Sequence, residues 1–246
     1  MRDFFAKLKI DKVHADLATN IETLMSTEAA RFIPYEIIFP PLPAPRITEL
    51  EAIRLALSTE AQGTGLSIFN AFGTHFNPEL PALDSTTLLN YLRAFLVQAE
   101  QLSEVHKVDA SRRILPFIDP FPKDYIKEIL NPDYHPNLPT LIDDYLDLNA
   151  TRNRPLDMLP IFAYLAPEQI KARLPKEKIS ARPTLHYRLP NCQINETNWS
   201  ITAEWNHWVR LVEPLANNPD KLNKRCSLYL WELRHPIRAR LRRFFK

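Results

Sequence analysis

The sequence predicts an α+β protein, and three observations support that class. Apolar residues recur at helical spacing in several segments, for example at Leu88, Leu92 and Phe95. Residues 182–189 instead alternate polar and apolar side chains with the two-residue period of a strand. The chain has 246 residues, of which 45% are hydrophobic, so it can enclose a substantial core. Several helices with a few scattered strands are typical of the α+β class.

Each element is predicted from its own local signal. Helices follow from apolar periodicity, and their starts follow from a capping residue or a proline. Strands follow from alternation, or from short apolar runs that end at prolines or glycines. The predicted helices are residues 11–25, 48–60, one that begins at Asp84 or Ser85, short ones within 113–140 (one opened by Pro122), 141–148, 155–165 with Asn153 as a candidate cap, and 201–215. The predicted strands are residues 33–39, 67–76 and 182–189.

Composition narrows the range of functions. The 31 basic and 29 acidic residues leave a net charge of +2, so we expect no nucleic-acid partner. No apolar run is long enough for a transmembrane helix, and residues 1–10 lack the apolar core of a secretory signal. Cys192 and Cys226 are too few for a disulfide scaffold, so we expect free thiols and a cytoplasmic location.

Glycine is scarce in this chain, which contains only Gly63, Gly65 and Gly73. A Walker-type loop and a dinucleotide-binding fingerprint each need several closely spaced glycines, so that the backbone can approach phosphate. Both motifs are therefore excluded. Any bound nucleotide must be held by side chains and a metal ion on a preformed surface.

Polar side chains share one face of the predicted strand 182–189. Because successive side chains on a strand point to opposite faces, Arg182, Thr184, His186 and Arg188 lie together. One interpretation is the solvated face of an antiparallel sheet. The other is an anion-binding floor, because guanidinium groups bind phosphate and carboxylate through paired hydrogen bonds. The strand alone leaves both interpretations open.

A second face with room for a ligand is predicted in residues 71–77. Ala71, Gly73, His75 and Asn77 share this face. Small residues beside a histidine and an asparagine leave space for a ligand against the sheet. The alternative interpretation is that His75 is a core residue with a satisfied hydrogen bond.

Three charged residues outside these strands are further candidates. Glu36 is the single carboxylate of an apolar segment, so it is either a magnesium ligand or an edge residue in solvent. Arg152 and Arg154 precede a predicted helix and are placed to clamp an anionic substrate. In the same stretch, Asp157 would simply complement the helix dipole.

These segments, taken in order, resemble the amidoligase family, which has a glutamine-synthetase-like carboxylate–amine ligase fold. The resemblance covers about residues 33–215, and more weakly residues 13–24. It is carried by residues 34–43 (PYEIIFPPLP), 72–80 (FGTHFNPEL), 116–122 (PFIDPFP), 151–160 (TRNRPLDMLP) and 182–192 (RPTLHYRLPNC).

The resemblance implies an open, mainly antiparallel sheet, packed by helices, whose concave face holds ATP, magnesium and both substrates. It also implies the reaction: ATP converts a small-molecule or peptide carboxylate to an acyl phosphate, which an amine then attacks. The residue types on the two candidate faces agree with that chemistry. By that resemblance, Glu36 is a metal ligand, His75 belongs to the family's histidine-bearing strand, and Arg182 and Arg188 are its anion-binding arginines. The predicted catalytic residues are Arg182, Arg188 and His186, and the predicted substrate- or nucleotide-binding residues are His75, Asn77, Arg152 and Arg154. Glu79 and His75 are candidates for the general base on their position alone.

Two departures from the family pattern leave an alternative open. Family members begin with a Gly-x-Glu-x-Glu strand whose acids bind metal, and no such motif precedes Glu36, so we expect that segment to be missing. In addition, His186 stands where related ligases often carry glutamate. Both changes reduce the negative charge that would hold magnesium. The alternative is a catalytically impaired ligase remnant that binds a peptide or nucleotide.

The expected domains are an amidoligase-like domain over residues 1–216 and a basic helical tail over 217–246. The tail interleaves arginines with Ile237, Leu241 and Phe244. That pattern fits contact with a nucleic acid or a membrane surface, and it also fits a helix that packs its apolar residues and solvates its arginines.

Overall fold

The structure is a computed structural model that describes residues 36–61, 63–64, 73–109, 112 and 118–244, without the side chains of 241–244. The chain divides into two units, Met1–Leu42 and Pro43–Lys246. Among the described residues, no helix is long and apolar enough to cross a membrane.

In the first unit, the described residues 36–42 have no regular secondary structure, and Glu36 is exposed. The predicted strand at 33–39 is therefore wrong over 36–39, because an apolar run forms a strand only where a neighbour completes its hydrogen bonds. The predicted helix at 11–25 lies outside the described residues.

The second unit is mainly helical. A short 3-10 helix, Ala44–Glu49, leads into the first α-helix. The predicted helices at 48–60 and 141–148 are confirmed, as is the cap at Asp84, whose carboxylate accepts the backbone N–H of Thr87 at 2.8 Å. The α-helices are α1 (Leu50–Leu57), α2 (Ser85–Val105), α3 (Lys123–Ile129), α4 (Leu138–Asn149), α5 (Leu159–Leu165), α6 (Pro167–Arg173), α7 (Ile201–Leu211), α8 (Glu213–Ala216), α9 (Pro219–Arg234) and α10 (Pro236–Phe244).

Helix α2 is the centre of the core. It packs against α7, α8 and α9, and its Leu88, Leu92 and Phe95 are fully buried. Burying one such side chain contributes about 1.5–3 kcal/mol, so this stripe is a major source of stability. Helix α9, which opens the predicted tail, adds Leu222, Cys226 and Leu230 to the same core.

Two predicted helices have different bounds in the structure. The helix expected at 155–165 begins only at Leu159, and Leu156–Asp157 form strand β1 instead. Pro160 stands in the first turn of α5, where its missing N–H costs no hydrogen bond and fixes the start of the helix. The helix expected at 201–215 ends at Leu211, because Pro214 cannot donate to the preceding turn and opens α8.

The β structure consists of short antiparallel contacts around one central segment. Strand β1 pairs with β2 (His186–Tyr187), with Leu156 opposite Tyr187 and Asp157 opposite His186. On the other side of β2, isolated bridges join Gly73 to Asn191, Phe76 to Tyr187 and Glu79 to Thr184. Helices combined with antiparallel pairing agree with the predicted α+β class. The glutamine-synthetase-like form of that class stays a prediction.

Candidate functional site

The central segment, residues 184–191, separates a buried face from a polar one. Leu185 and Tyr187 are fully buried and Leu189 is 3% exposed, whereas His186 and Arg188 remain partly exposed. The alternation in the sequence therefore predicts both faces correctly. On the buried side, the Tyr187 hydroxyl lies 2.6 Å from His106 Nε2, and His106 Nδ1 contacts Glu204. This buried contact anchors the segment to α7.

The neighbouring residues 73–79 continue the polar face. Phe76 points into the core, where its ring lies 5.5 Å from that of Trp205. His75 and Asn77, one residue to either side of Phe76, are exposed on the opposite face. The rings of His75 and His186 meet edge to face at 4.9 Å. The structure thus brings the two sequence-predicted faces together on one surface. The part of the predicted strand at 67–72 lies outside the described residues.

Arg182 determines the proton state of His186. A guanidinium nitrogen of Arg182 lies 3.0 Å from His186 Nδ1. Because a guanidinium only donates, Nδ1 must accept, and the hydrogen of the neutral ring lies on Nε2. The Asn77 side-chain oxygen is placed 3.0 Å from the same Nδ1, where two acceptors would oppose each other. We therefore expect Asn77 to turn its NH₂ group toward the ring.

Arg188 and Asp157 connect this surface to strand β1. Their closest nitrogen–oxygen distance is 3.5 Å, and the Asp157 side chain is only 2% exposed. The other Asp157 oxygen accepts the backbone N–H of Leu159 at 2.9 Å, at the start of α5. Burial raises the pKa of Asp157 from 3.8 to about 6, although the Leu159 hydrogen bond and the nearby arginines oppose that rise.

Both histidines on the polar face are held neutral. Loss of hydration, together with the charge of Arg188, lowers the pKa of His186 from 6.5 to about 2. His75 keeps part of its surface exposed, but the surrounding side chains remove much of its hydration. That loss, followed by the charges of Arg188, Arg112 and Arg182, lowers the pKa of His75 to about 4. At neutral pH, the positive charge of the surface therefore comes from arginine.

A polar cleft of about 290 Å³ opens beside Arg188. Arg152 lines it and is exposed. The loop after α4 forms most of its wall, and the loop after α6 contributes one acidic residue. Its lining residues are Ala150, Thr151, Arg152, Asn153, Glu177 and Arg188.

Arg154 has a different environment from Arg152. It is 9% exposed, and its guanidinium donates to the carbonyl oxygens of Pro120 at 2.5 Å and Leu148 at 3.1 Å. Its guanidinium carbon also lies 5.6 Å from the ring centroid of Phe121. These contacts favour a structural role for Arg154, and they leave Arg152 as the arginine of this loop at the cleft.

Arg112 is buried beneath the central segment and binds its backbone. It is 1% exposed and donates to three consecutive carbonyl oxygens, at 2.6 Å to Arg188 and 2.7 Å to both Leu189 and Pro190. Gly73 leaves room for it, because a Cβ atom there would lie 2.4 Å from an Arg112 nitrogen. The pair fixes the backbone that carries Arg188.

The remaining predicted residues are Glu36 and Glu79. Glu36 belongs to the other unit of the chain, so its part in a metal site stays a prediction. Glu79 is exposed opposite Thr184, at the far end of the paired segments from Arg188. In the described part of the chain, no three His, Cys, Asp or Glu side chains are grouped to hold a metal ion.

The order and chemistry of these segments match a known family. A family model described as "Putative amidoligase enzyme" matches residues 7–210. This chain belongs to the amidoligase family. No curated protein and no solved structure shows a significant match to it.

Within this amidoligase, three site residues were not among the sequence-predicted ones. Asp157 was assigned to a helix, and only its pairing with His186 places it on the polar face. Arg112 belongs to the segment 111–113 (Ser-Arg-Arg), whose sequence carries no signal of burial. Glu177 reaches the cleft from a loop. The alternation in 182–189 could have pointed to Asp157, since a strand with one polar face needs a polar partner on the adjacent strand.

Proposed function

We propose that this amidoligase joins a carboxylate to an amine, with ATP as the phosphoryl donor. Family membership supports ligase chemistry. The observation that carries the proposal is the polar face itself, where Arg182 and Arg188 flank a neutral His186. Cationic groups fixed by protein contacts are suited to binding phosphate and carboxylate oxygens.

The reaction requires activation of the carboxylate, because its negative charge repels a nucleophile and oxide is a poor leaving group. In the first step, a carboxylate oxygen bonds to the γ-phosphorus of ATP while the bond from that phosphorus to the β,γ-bridging oxygen breaks, releasing ADP. In the second step, the amine nitrogen bonds to the acyl carbon and loses a proton, while the carbon–oxygen bond breaks and phosphate leaves. Transfer of this kind depends mainly on positioning and on neutralising charge.

These tasks are divided between the polar face, here called the floor (Arg182, His186, Arg188, His75 and Asn77), and the cleft beside Arg188. Arg182 and Arg188 bind the transferring phosphoryl oxygens, and Arg152 binds the substrate carboxylate in the cleft that it shares with Arg188. Asp157 holds the Arg188 fork in place. Asn77 and the Nε2–H of His186 add neutral donors to the same floor.

Buried polar atoms on this face support a ligand there. In the described part of the chain, Thr184 Oγ1 and Arg188 Nε are buried without a hydrogen-bond partner. Buried polar atoms nearly always have partners, in the protein, in water or in a ligand. Both atoms lie on the central segment, where a bound anion would supply the missing acceptor.

This surface has cationic groups for phosphate, but its described residues do not form an acidic cluster for magnesium. The arginines suit the phosphate groups of ATP. The described residues provide no cluster of acids for magnesium, so no step of the proposal depends on a metal ion held by them. Magnesium would serve by neutralising phosphate charge, and Glu36 remains the predicted ligand.

The alternative function, a remnant that binds nucleotide without turnover, shares the same floor. Calorimetry with ATP and magnesium should show binding to the wild-type chain, and ADP release should rise with a suitable carboxylate and amine. Binding without ADP release, across a broad panel of both substrates, would support the remnant. No heat from folded protein at millimolar nucleotide would overturn both.

A further inference from the structure

Helix α10 exposes its isoleucine and buries its alanine. Ala239 is 7% exposed, whereas Ile237 is 77% exposed. At 3.6 residues per turn these positions are about 200° apart, so they lie on opposite sides of the helix. Helix α10 contacts α9, and its small residue is the buried one. An amphipathic helix that served only to cover the core would bury Ile237 instead.

The sequence of α10 and the residues after it combine an apolar stripe with cationic residues. In the sequence, Leu241 and Phe244 follow Ile237 at the spacing of one helix face. Arg238 and Arg240, one on each side of that face, are exposed. Residues 233–246 contain no acidic residue, although the whole chain is nearly balanced at a net charge of +2. The basic residues of this stretch are Arg234, Arg238, Arg240, Arg242, Arg243 and Lys246.

We propose that α10 is a docking surface for an anionic lipid membrane, on which it lies in the interfacial plane. A narrow apolar stripe between cationic residues is the pattern that inserts into the acyl boundary while its charges remain at the headgroups. Clusters of Lys and Arg on an amphipathic helix also recognise anionic lipids.

Two other partners fit this surface less well. A protein partner would have to offer a pocket for Ile237 and acidic groups for the arginines at matching positions, whereas any area of an anionic bilayer offers both. Nucleic-acid backbones are bound through charge, and an outward isoleucine adds nothing to phosphate contacts. The membrane accounts for both the exposed apolar residue and the surrounding charge.

The test is co-sedimentation of the full chain with vesicles of phosphatidylcholine containing 30% phosphatidylserine, against vesicles of phosphatidylcholine alone. We expect binding to the anionic vesicles only, and weaker binding at higher salt. Ile237→Asn should reduce the partition coefficient about tenfold, through lost insertion. Arg238→Gln with Arg240→Gln should reduce it at least tenfold, since each basic residue near such a surface contributes about fivefold.

The matched control is Lys123→Gln with Lys171→Gln, which removes the same charge from exposed positions on α3 and α6. This control should leave binding within about twofold. Since Ile237 is exposed, its replacement should not change the circular dichroism spectrum. Vesicle binding that is equal in the wild type and Ile237→Asn would overturn the proposal. It would also be overturned by a self-association that Ile237→Asn abolishes without any vesicle binding, or by binding to a DNA duplex that competes fully with vesicles.

Discussion

Arg188 and Asp157 approach to 3.5 Å across strands β1 and β2, and this contact connects the exposed and buried sides of the candidate site. Asp157 is nearly inaccessible, and its second oxygen is occupied by the N–H of Leu159. Arg188 also lies at the cleft, and its backbone carbonyl oxygen is held by Arg112. Arg188 is therefore held at two points, its guanidinium by Asp157 and its backbone carbonyl oxygen by Arg112, and this restricts where its guanidinium can meet an anionic ligand.

Replacing Arg188 should weaken binding of nucleotide or inorganic phosphate. A hydrogen bond to a charged group contributes about 1.5–3 kcal/mol, so Arg188→Ala should raise the dissociation constant about ten- to hundredfold. Arg188→Lys keeps the charge but loses the planar fork, and its effect should be intermediate. Titration calorimetry gives the dissociation constant of nucleotide or inorganic phosphate for the wild type and for both variants. The control is Arg173→Ala, which removes an exposed pair with Asp143 and Asp147 and should leave affinity unchanged. Equal losses in both alanine variants would contradict a site at Arg188.

Asp157→Asn should change how stability depends on pH. The folded pKa of Asp157 is about 6, above its ordinary 3.8, so the folded state binds the proton more tightly than the unfolded state. That contribution is fully present below pH 4 and is lost as the pH rises through 6. Since one pKa unit corresponds to about 1.4 kcal/mol, the full effect is about 3 kcal/mol. Between pH 4 and 7, the stability of Asp157→Asn relative to wild type should therefore rise by about 2.5 kcal/mol. Denaturant titrations at several pH values measure this difference.

Asp143→Asn is the control for that series, because Asp143 is on the surface and pairs with Arg173. Its stability relative to wild type should vary little between pH 5 and 7. A difference for Asp157→Asn that stays flat across this range would mean that its carboxyl group titrates normally.

Gly73→Ala should destabilise the chain through Arg112. The added methyl group would lie 2.4 Å from a guanidinium nitrogen and 3.1 Å from the Pro190 carbonyl oxygen. Overpacking of this kind typically costs about 1–3 kcal/mol. In an Arg112→Ala background most of that clash is gone, so the same substitution should cost less than half as much. A double-mutant cycle on the free energy of unfolding measures this coupling. Additive effects would show that Gly73 and Arg112 act independently.

The fold was predictable where local pattern determines it. The alternation in 182–189 predicted the faces of His186 and Arg188, and Asp84 predicted the start of α2. Strand β1 was missed because Leu156–Asp157 is two residues long and exists only through its pairing with β2. The burial of Arg154 and Arg112 was equally hidden, since they donate to carbonyl oxygens that are distant in sequence. Sequence patterns report which residues share a face, but they do not report which arginines are already engaged.

His75 should stay neutral in the free protein because arginines surround it. Its pKa is about 4, lowered by lost hydration and by the charges of Arg188, Arg112 and Arg182. NMR of the His75 ring should therefore show at most about one tenth of the protonation shift between pH 8 and 5. A bound phosphate group would offset the arginine charges, so inorganic phosphate or ADP should raise this pKa. Arg188→Ala should also raise it, in the absence of ligand, because a nearby positive charge is removed. Arg173→Ala removes a distant arginine and should leave the titration unchanged. A His75 ring that titrates near 6.5 in the free wild-type chain would mean that the arginines do not converge on this face, and it would remove the electrostatic basis for anion binding there.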